Sequence, residues 1–190
     1  MSAQDLGCTL LTIARSAIGE RLGLAVPEVP HDATLQRRSA TFVTLRQASG
    51  LRGCIGSLEP LPPLGLDVRE NAIAAAFRDP RFAPLAADEF GATALEVSLL
   101  SPAEPIEVCG EQDLLGRLRP GIDGLTLEYG GSRATFLPQV WQALPDPRDF
   151  LSSLKRKLGL PAGFWDADVA VRCYTVTKWA EPGFGPGAQA

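Results

Sequence analysis

Hydrophobic residues recur at helical spacing in three parts of the chain. They line one side of residues 3–22, 64–78 and 147–158, and this spacing predicts three amphipathic helices. The third helix has the clearest ends, with Asp146 at its N-cap position, Pro147 at its first position and Gly159 just beyond it. Each helix needs a sheet or another helix to cover its apolar side.

Other segments show the shorter alternation that is typical of strands. Extended runs are predicted at residues 41–45, 51–58, 93–100, 125–129, 132–137 and 169–176. Gly130-Gly131 predicts a tight hairpin, and residues 47–50 predict a turn between the first two strands. Because hairpins join most of the strands, the pattern favours an α+β fold, with an antiparallel sheet and flanking helices, over a doubly wound parallel sheet.

Length and composition limit the classes of protein that fit. A chain of 190 residues, 45% of them hydrophobic, suits a single domain over residues 1–180, and the Gly- and Pro-rich residues 181–190 are expected to form a disordered tail. No apolar run is long enough to span a membrane, and the N-terminus lacks signal-peptide features, so a cytoplasmic location is expected. A net charge of −4 makes nucleic acid an unfavourable partner.

Metal and cofactor motifs are missing from the sequence. The four cysteines are far apart and the chain has one histidine, so a zinc site is not expected. Neither a G-x-G-x-x-G motif nor a P-loop supports a nucleotide cofactor. The sequence therefore predicts no metal and no cofactor.

The chemistry is concentrated in the hexapeptide Leu-Arg-Gly-Cys-Ile-Gly, residues 51–56. In a regular strand, Arg52 and Cys54 would project from the same face, with the guanidinium roughly 7 Å from the sulfur. At that distance the positive charge would favour the thiolate. Gly53 and Gly56 would leave the backbone open to a close ligand. The hexapeptide is therefore a candidate thiol site.

Each residue of this candidate site also has a structural interpretation. Cys54 could be a small buried hydrophobe. Arg52 could pair with an internal carboxylate, such as Asp79 or Glu96, or it could bind an anionic ligand. Asp79 could simply end a helix before Pro80. The sequence leaves these alternatives open.

Three further residues are candidates for acid–base chemistry. Glu96 lies on the polar face of a strand, where it is either solvated or, if that strand lies beside the hexapeptide, the best general base or acid. His31 could serve as the base for the thiol, but a solvated loop histidine fits equally well. Asp123 lies between turn glycines.

The hexapeptide and five other blocks, in this order, resemble the AMMECR-domain family, whose bacterial members are called AmmeMemoRadiSam system protein A. The five blocks are residues 79–84, 96–100, 121–125, 136–140 and 157–160. The resemblance implies a larger lobe, a smaller β-rich lobe and a cleft near the hexapeptide. Many relatives carry histidine where this chain has Asp123, so an imidazole at that place has no support here.

The family has no established reaction, so the resemblance implies a site without naming a substrate. One hypothesis is an enzyme, or an enzyme subunit, with a cleft site for a small molecule or a peptide. The alternative is a non-catalytic adaptor that works with Memo-type and radical SAM proteins, as the family name implies. The candidate catalytic residues are Cys54, Arg52 and Glu96, and the candidate ligand-binding residues are Gly53, Gly56, Asp79 and Arg81.

Overall fold

The computed structural model describes residues 2–48 and 50–183, and the chain divides into two compact units. One unit contains the residues up to Leu100 and those from Thr177 onward, and the other contains Ser101–Val176. Each unit has its own four-stranded sheet and its own hydrophobic core. The predicted α+β class, with antiparallel sheets and flanking helices, is confirmed.

The helices and strands follow one another in an order close to the predicted one. They are α1 (Ala3–Arg21), β1 (Thr41–Gln47), β2 (Gly50–Gly56), α2 (Leu64–Phe77), α3 (Ala87–Phe90), β3 (Thr93–Leu100), β4 (Glu104–Pro105), α4 (Glu111–Arg117), β5 (Gly124–Tyr129), β6 (Ser132–Phe136), α5 (Pro147–Lys157), β7 (Ala170–Tyr174) and β8 (Val176–Ala180). Short 3-10 turns cover Ala33–Gln36 and Pro138–Gln142. None of the helices in the described part of the chain is long and apolar enough to cross a membrane.

The sheet of the first unit has the strand order β2-β1-β3-β8. Val43 and Leu45 of β1, and Leu95 and Val97 of β3, are fully buried in one core with apolar residues of α1 and α2. Because side chains alternate along a strand, the residues between them project from the other face of the sheet. Both helices therefore cover one face, and the polar positions of β1 and β3 lie on the opposite face.

The C-terminal segment is fixed to this unit further along than the composition indicates. Glu181, which the sequence places in a disordered tail, accepts hydrogen bonds from Nε of Arg15 at 2.8 Å and from the backbone N–H of Leu95 at 2.9 Å. This correction follows from the ion pair, which a Gly- and Pro-rich composition does not reveal. Residues 184–190 of the predicted tail lie outside the described residues.

The second unit has the strand order β4-β7-β5-β6, packed against α5. Trp141 stacks on Phe150 with ring centroids 3.8 Å apart, and both are buried in the core. Gly130 and Gly131 have φ values of 56° and 78°, which suit glycine at the tight β5–β6 hairpin. The hairpin predicted from this dipeptide is confirmed by the antiparallel pairing of the two strands.

Three short elements were not predicted from the sequence. Helices α3 and α4 have four and seven residues, and β4 has two, so their patterns are too short for periodicity to show. The final strand predicted at residues 169–176 is instead two strands, β7 and β8, which belong to different sheets. Of these, α3 matters most, because it supplies a partner for Arg52.

Candidate functional site

Cys54 lies in β2 directly opposite Thr44 of β1. The residue is half-buried, and its sulfur accepts a hydrogen bond from Oγ1 of Thr44 at 3.4 Å. Thr44 is in turn opposite Glu96 of β3, and Nζ of Lys178 lies 3.3 Å from Oε1 of Glu96. These four residues form a polar row across the sheet, on the face away from α1 and α2.

The outer edge of β2 is covered at Cys54 by two side chains, which we call the edge clamp. Oδ2 of Asp79 accepts a hydrogen bond from the backbone N–H of Cys54 at 2.9 Å. Nη2 of Arg81 donates one to the carbonyl oxygen of the same residue at 3.2 Å. The edge clamp therefore fixes both polar groups of the peptide backbone at Cys54, much as a neighbouring strand would.

The local sequence explains how two residues so close in the chain form the edge clamp. Phe82 N–H donates to the carbonyl oxygen of Asp79 at 3.1 Å, and Arg81 N–H donates to Oδ1 of Asp79 at 3.1 Å. Pro80 supplies the fixed φ that suits the second position of such a turn. Arg81 then folds back, and its Nε and Nη2 contact the two carboxylate oxygens of Asp79 at 2.9 and 2.7 Å.

Electrostatics keep the edge clamp ionised. The side chain of Asp79 is 1% exposed, and hydrogen bonds from the Arg81 side chain, then from the Cys54 backbone, hold the pKa of this carboxyl well below its usual range against the effect of burial. The same hydrogen bond to Asp79 raises the pKa of Arg81. The ion pair is therefore present across the neutral pH range.

Arg52 does not share a face with the sulfur of Cys54, and the predicted geometry is wrong at this point. Leu45 pairs with Gly53 and Arg46 pairs with Leu51, so Arg52 is the extra residue of a β-bulge. A bulge breaks the regular alternation on which the prediction depends. Gln47, which alternates along β1 with the buried Val43 and Leu45, contacts the same Glu89 carboxylate as Arg52, so the guanidinium lies on the helix side of the sheet.

The partner of Arg52 is Glu89 of α3, rather than the Asp79 or Glu96 named from the sequence. Nε and Nη2 of Arg52 donate to the two Glu89 oxygens at 3.1 and 3.0 Å, and Gln47 donates to the same carboxylate at 3.2 Å. The hydrogen bond from Arg52, followed by those from the backbone N–H of Ala86 and from Gln47, lowers the pKa of Glu89 to about 2. The internal ion pair was expected, but its partner lies on a helix that the sequence did not reveal.

The glycines of the hexapeptide have a packing role. A Cβ on Gly53 would lie 2.2 Å from the carbonyl oxygen of Ala75 in α2, and a Cβ on Gly56 would lie 2.2 Å from the Phe42 ring. Close approach by the protein's own helix and ring therefore accounts for both glycines. Ligand binding at Gly53 and Gly56 stays a prediction.

The edge clamp brings the first two family-like blocks, residues 51–56 and 79–84, into direct contact. The AMMECR1 family model matches residues 11–179. The chain belongs to the AMMECR1 family. A protein of Methanothermobacter thermautotrophicus is 40% identical, over 95% of this chain and 97% of its own length. A protein of Thermotoga maritima is 38% identical, over 76% of this chain and 79% of its own.

A solved structure supports the fold. The crystal structure of PH0010 from Pyrococcus horikoshii, described as an uncharacterized protein, matches this chain with a TM-score of 0.74 and 36% sequence identity. The match covers 91% of this chain and 90% of that one. These similarities establish the family and the fold of the chain. They do not identify a reaction or a substrate.

The remaining acid–base candidates of this AMMECR1-family chain lie away from the sulfur. Strand β1 lies between Glu96 and the hexapeptide. Glu96 is therefore next to Thr44 in the polar row, and not next to Cys54. His31 is exposed, just before the first 3-10 turn. Within the described residues, no group of His, Cys, Asp or Glu side chains has the arrangement of a metal site.

Asp123 is a buried structural residue of the second unit. Burial raises the pKa of the Asp123 carboxyl. Hydrogen bonds from the side chain and the backbone N–H of Arg119 lower it by more, so the pKa lies below its usual value. Its backbone carbonyl accepts a hydrogen bond from Trp141 at 2.7 Å. Burial, and then the Asp123 charge, raise the pKa of the Cys173 thiol to about 11, so this cysteine stays protonated near neutral pH.

Sequence reasoning missed two residues that contact the site. Thr44 had only a misleading signal, because regular pairing counted back from a turn at residues 47–50 places Gly53 opposite it, whereas the bulge at Arg52 brings Cys54 there instead. Glu89 had none, since α3 is a single turn of helix whose N-cap residue, Ala86, has no side chain that can cap it.

Proposed function

We propose that this protein is an enzyme, or an enzyme subunit, that uses the Cys54 thiol on a small molecule or a modified peptide. One observation carries the proposal: the sulfur accepts a hydrogen bond from Thr44 while the edge clamp holds the peptide backbone of the same cysteine. A hydroxyl that donates to sulfur stabilises negative charge there. A fixed backbone keeps the sulfur in one orientation, which nucleophilic chemistry requires.

Each residue then has a defined role. Cys54 is the nucleophile: its sulfur bonds to an electrophilic carbon, the bond from that carbon to the leaving group breaks, and the thiol proton departs with the leaving group. Thr44 orients the sulfur, and Asp79 and Arg81 fix the peptide. Glu96 is the acid–base candidate for a substrate that extends along the polar row.

Selective alkylation tests the proposal. With a limiting dose of iodoacetamide at pH 7.5, we expect Cys54 to be labelled before Cys8 and Cys109, as read by mass spectrometry of the tryptic peptides. Cys8 and Cys109 are exposed, whereas Cys54 is half-buried, so access alone would give the reverse order. Labelling of Cys54 first therefore requires an activated sulfur.

The hydroxyl of Thr44 provides a matched control. Thr44→Val removes the donor at nearly constant volume, and we expect it to slow the labelling of Cys54 by about fivefold. Thr44→Ser keeps the donor and should restore the wild-type rate. If Cys8 and Cys109 react first in the wild type, the thiol proposal is wrong.

A second candidate function, a non-catalytic adaptor, is favoured by an exposed apolar segment. Leu58, Leu61 and Leu66 project into solvent around the prolines that follow the hexapeptide, and Leu61 is 64% exposed. Clustered exposed apolar side chains often mark a surface that binds another protein. The name of the bacterial family members, AmmeMemoRadiSam system protein A, suggests Memo-type and radical SAM proteins as partners.

Co-purification distinguishes the adaptor from the enzyme. If the protein is an adaptor, Leu61→Asp should abolish its co-purification with a co-expressed Memo-type or radical SAM protein from the same genome. Cys54→Ser should leave that complex intact. Leu24→Asp, at an exposed leucine just after α1, is the matched control. Unchanged co-purification of the Leu61→Asp protein would rule out this surface.

A further inference from the structure

The guanidinium of Arg81 has more N–H donors than its contacts within the protein use. Nε and Nη2 bind Asp79, and Nη2 also binds the carbonyl oxygen of Cys54. Nη1 has no hydrogen-bond partner among the described residues, and 53% of the side chain is exposed. One edge of the guanidinium is therefore fixed by the protein while the other faces solvent.

The free edge lies close to the reactive atom. Only a few covalent bonds separate the carbonyl oxygen of a cysteine from its sulfur, so the two atoms are about 3–5 Å apart. Nη2 of Arg81 is 3.2 Å from that carbonyl oxygen. A small molecule that contacts Nη1 of Arg81 can therefore place a carbon against the sulfur of Cys54.

The backbone at Cys54 cannot bind an anion itself. The N–H of Cys54 already donates to Asp79, so it is not free to bind a ligand oxygen. Arg52, the arginine of the hexapeptide, has a side chain that is 12% exposed and is paired with Glu89. Arg81 is consequently the donor that a ligand next to this sulfur can reach.

The ion pair with Asp79 makes Arg81 a pre-oriented donor. A bidentate contact with a buried carboxylate removes most of the side-chain freedom that an exposed arginine has, so a ligand bound by Nη1 loses less entropy on binding. Guanidinium N–H groups favour oxyanions, with carboxylate and phosphate the common examples. Because Asp79 remains ionised, this orientation does not change across the neutral pH range.

We infer that Arg81 binds an oxyanion of the substrate, so that Cys54 acts on molecules that carry a carboxylate or a phosphate close to their electrophilic carbon. This inference rests on the thiol chemistry proposed above. It assigns Arg81 to substrate selection, separate from its contact with the Cys54 backbone.

A pair of alkylating reagents that differ in charge tests the inference. Iodoacetate carries a carboxylate next to its electrophilic carbon, and iodoacetamide is its neutral counterpart. For each cysteine we would measure the ratio of the iodoacetate rate to the iodoacetamide rate. We expect the ratio at Cys54 to exceed that at Cys8 and Cys109 by about fivefold at low salt, and to fall as salt is added.

Variants of two nearby arginines separate contact from general charge. Arg81→Gln should lower the ratio at Cys54 to that of the exposed cysteines, and Arg81→Lys should keep part of the preference. Arg78→Gln removes one exposed positive charge just before the turn that contains Arg81 and should leave most of the preference. An equal loss in the Arg78 and Arg81 variants would overturn the inference, because it would show a diffuse field instead of a contact.

Competition in the wild-type protein gives a test that does not depend on how any variant folds. Propionate and inorganic phosphate should each slow the reaction of iodoacetate with Cys54 and leave Cys8 unaffected, and the stronger competitor identifies the class of oxyanion. No protection by either anion would overturn the inference. If Cys54 reacts with neither reagent, the thiol chemistry itself fails; if it reacts well with iodoacetamide but shows no charge preference, only the role of Arg81 fails.

Discussion

Replacing Gly53 by alanine should lower the free energy of unfolding by about 3 kcal/mol, because overpacking against a backbone atom is costly. The added Cβ would lie 2.2 Å from the carbonyl oxygen of Ala75. That oxygen belongs to α2, which packs on the sheet through fully buried Val68 and Ala72. Relief of the contact would require the helix and the strand to move apart.

Urea denaturation followed by circular dichroism measures this effect. Gly50→Ala is the matched control in the same strand, because a Cβ there meets only the carbonyl oxygen of Gln47 at an ordinary 3.6 Å. We expect the Gly50 variant to lie within about 1 kcal/mol of the wild type. If the two variants have equal stability, close packing of the helix does not explain the glycine at position 53.

Replacing Asp79 by alanine should have an effect of similar size, about 3 kcal/mol, because it removes one partner of a buried ion pair and leaves a backbone donor unsatisfied. Asp79 accepts hydrogen bonds from the N–H of Cys54 and from Arg81. Asp88→Ala, at an exposed position, should change stability by less than about 0.5 kcal/mol. If the urea denaturation curves of the Asp79→Ala and Asp88→Ala proteins coincide, the account of the edge clamp is contradicted.

The stabilisation from Asp79 should also depend on pH. Its pKa in the folded protein is lower than in the unfolded chain, chiefly because of the Arg81 side chain, so the contribution is complete above the unfolded value of about 3.9. It is lost as the pH falls below that value toward the folded pKa. The difference in unfolding free energy between wild type and Asp79→Ala should therefore narrow from pH 4 downward, and a difference that stays constant would show that the ion pair is not its source.

The sequence predicts most of the fold because its signals are local and agree with one another. Apolar residues at helical spacing locate α1, α2 and α5, and Gly130-Gly131 locates the hairpin of the second unit. The prediction fails where a single interaction decides the structure. The pairing of Glu181 with Arg15 orders a segment whose composition indicates disorder, and no local pattern contains that information.

The candidate site shows the same division between what a pattern can and cannot indicate. Cys54 was found from its motif, and Asp79 and Arg81 from a second motif that the structure places against the first. The position of Arg52 was predicted wrongly, because a one-residue bulge reverses the face from which a side chain projects. A bulge depends on how two strands pair, so the sequence of one strand does not reveal it.

The central claim is that folding activates the sulfur of Cys54, and the most direct measurement compares its alkylation in the folded and the unfolded chain. The rate with iodoacetamide, relative to that of Cys8 in the same sample, would be determined in buffer and in denaturing urea. We expect the relative rate of Cys54 to be about tenfold higher in the folded protein, since the Thr44 donor and the edge clamp exist only there. A relative rate that is lower in the folded protein would show that the fold only shields this cysteine, and would contradict the claim.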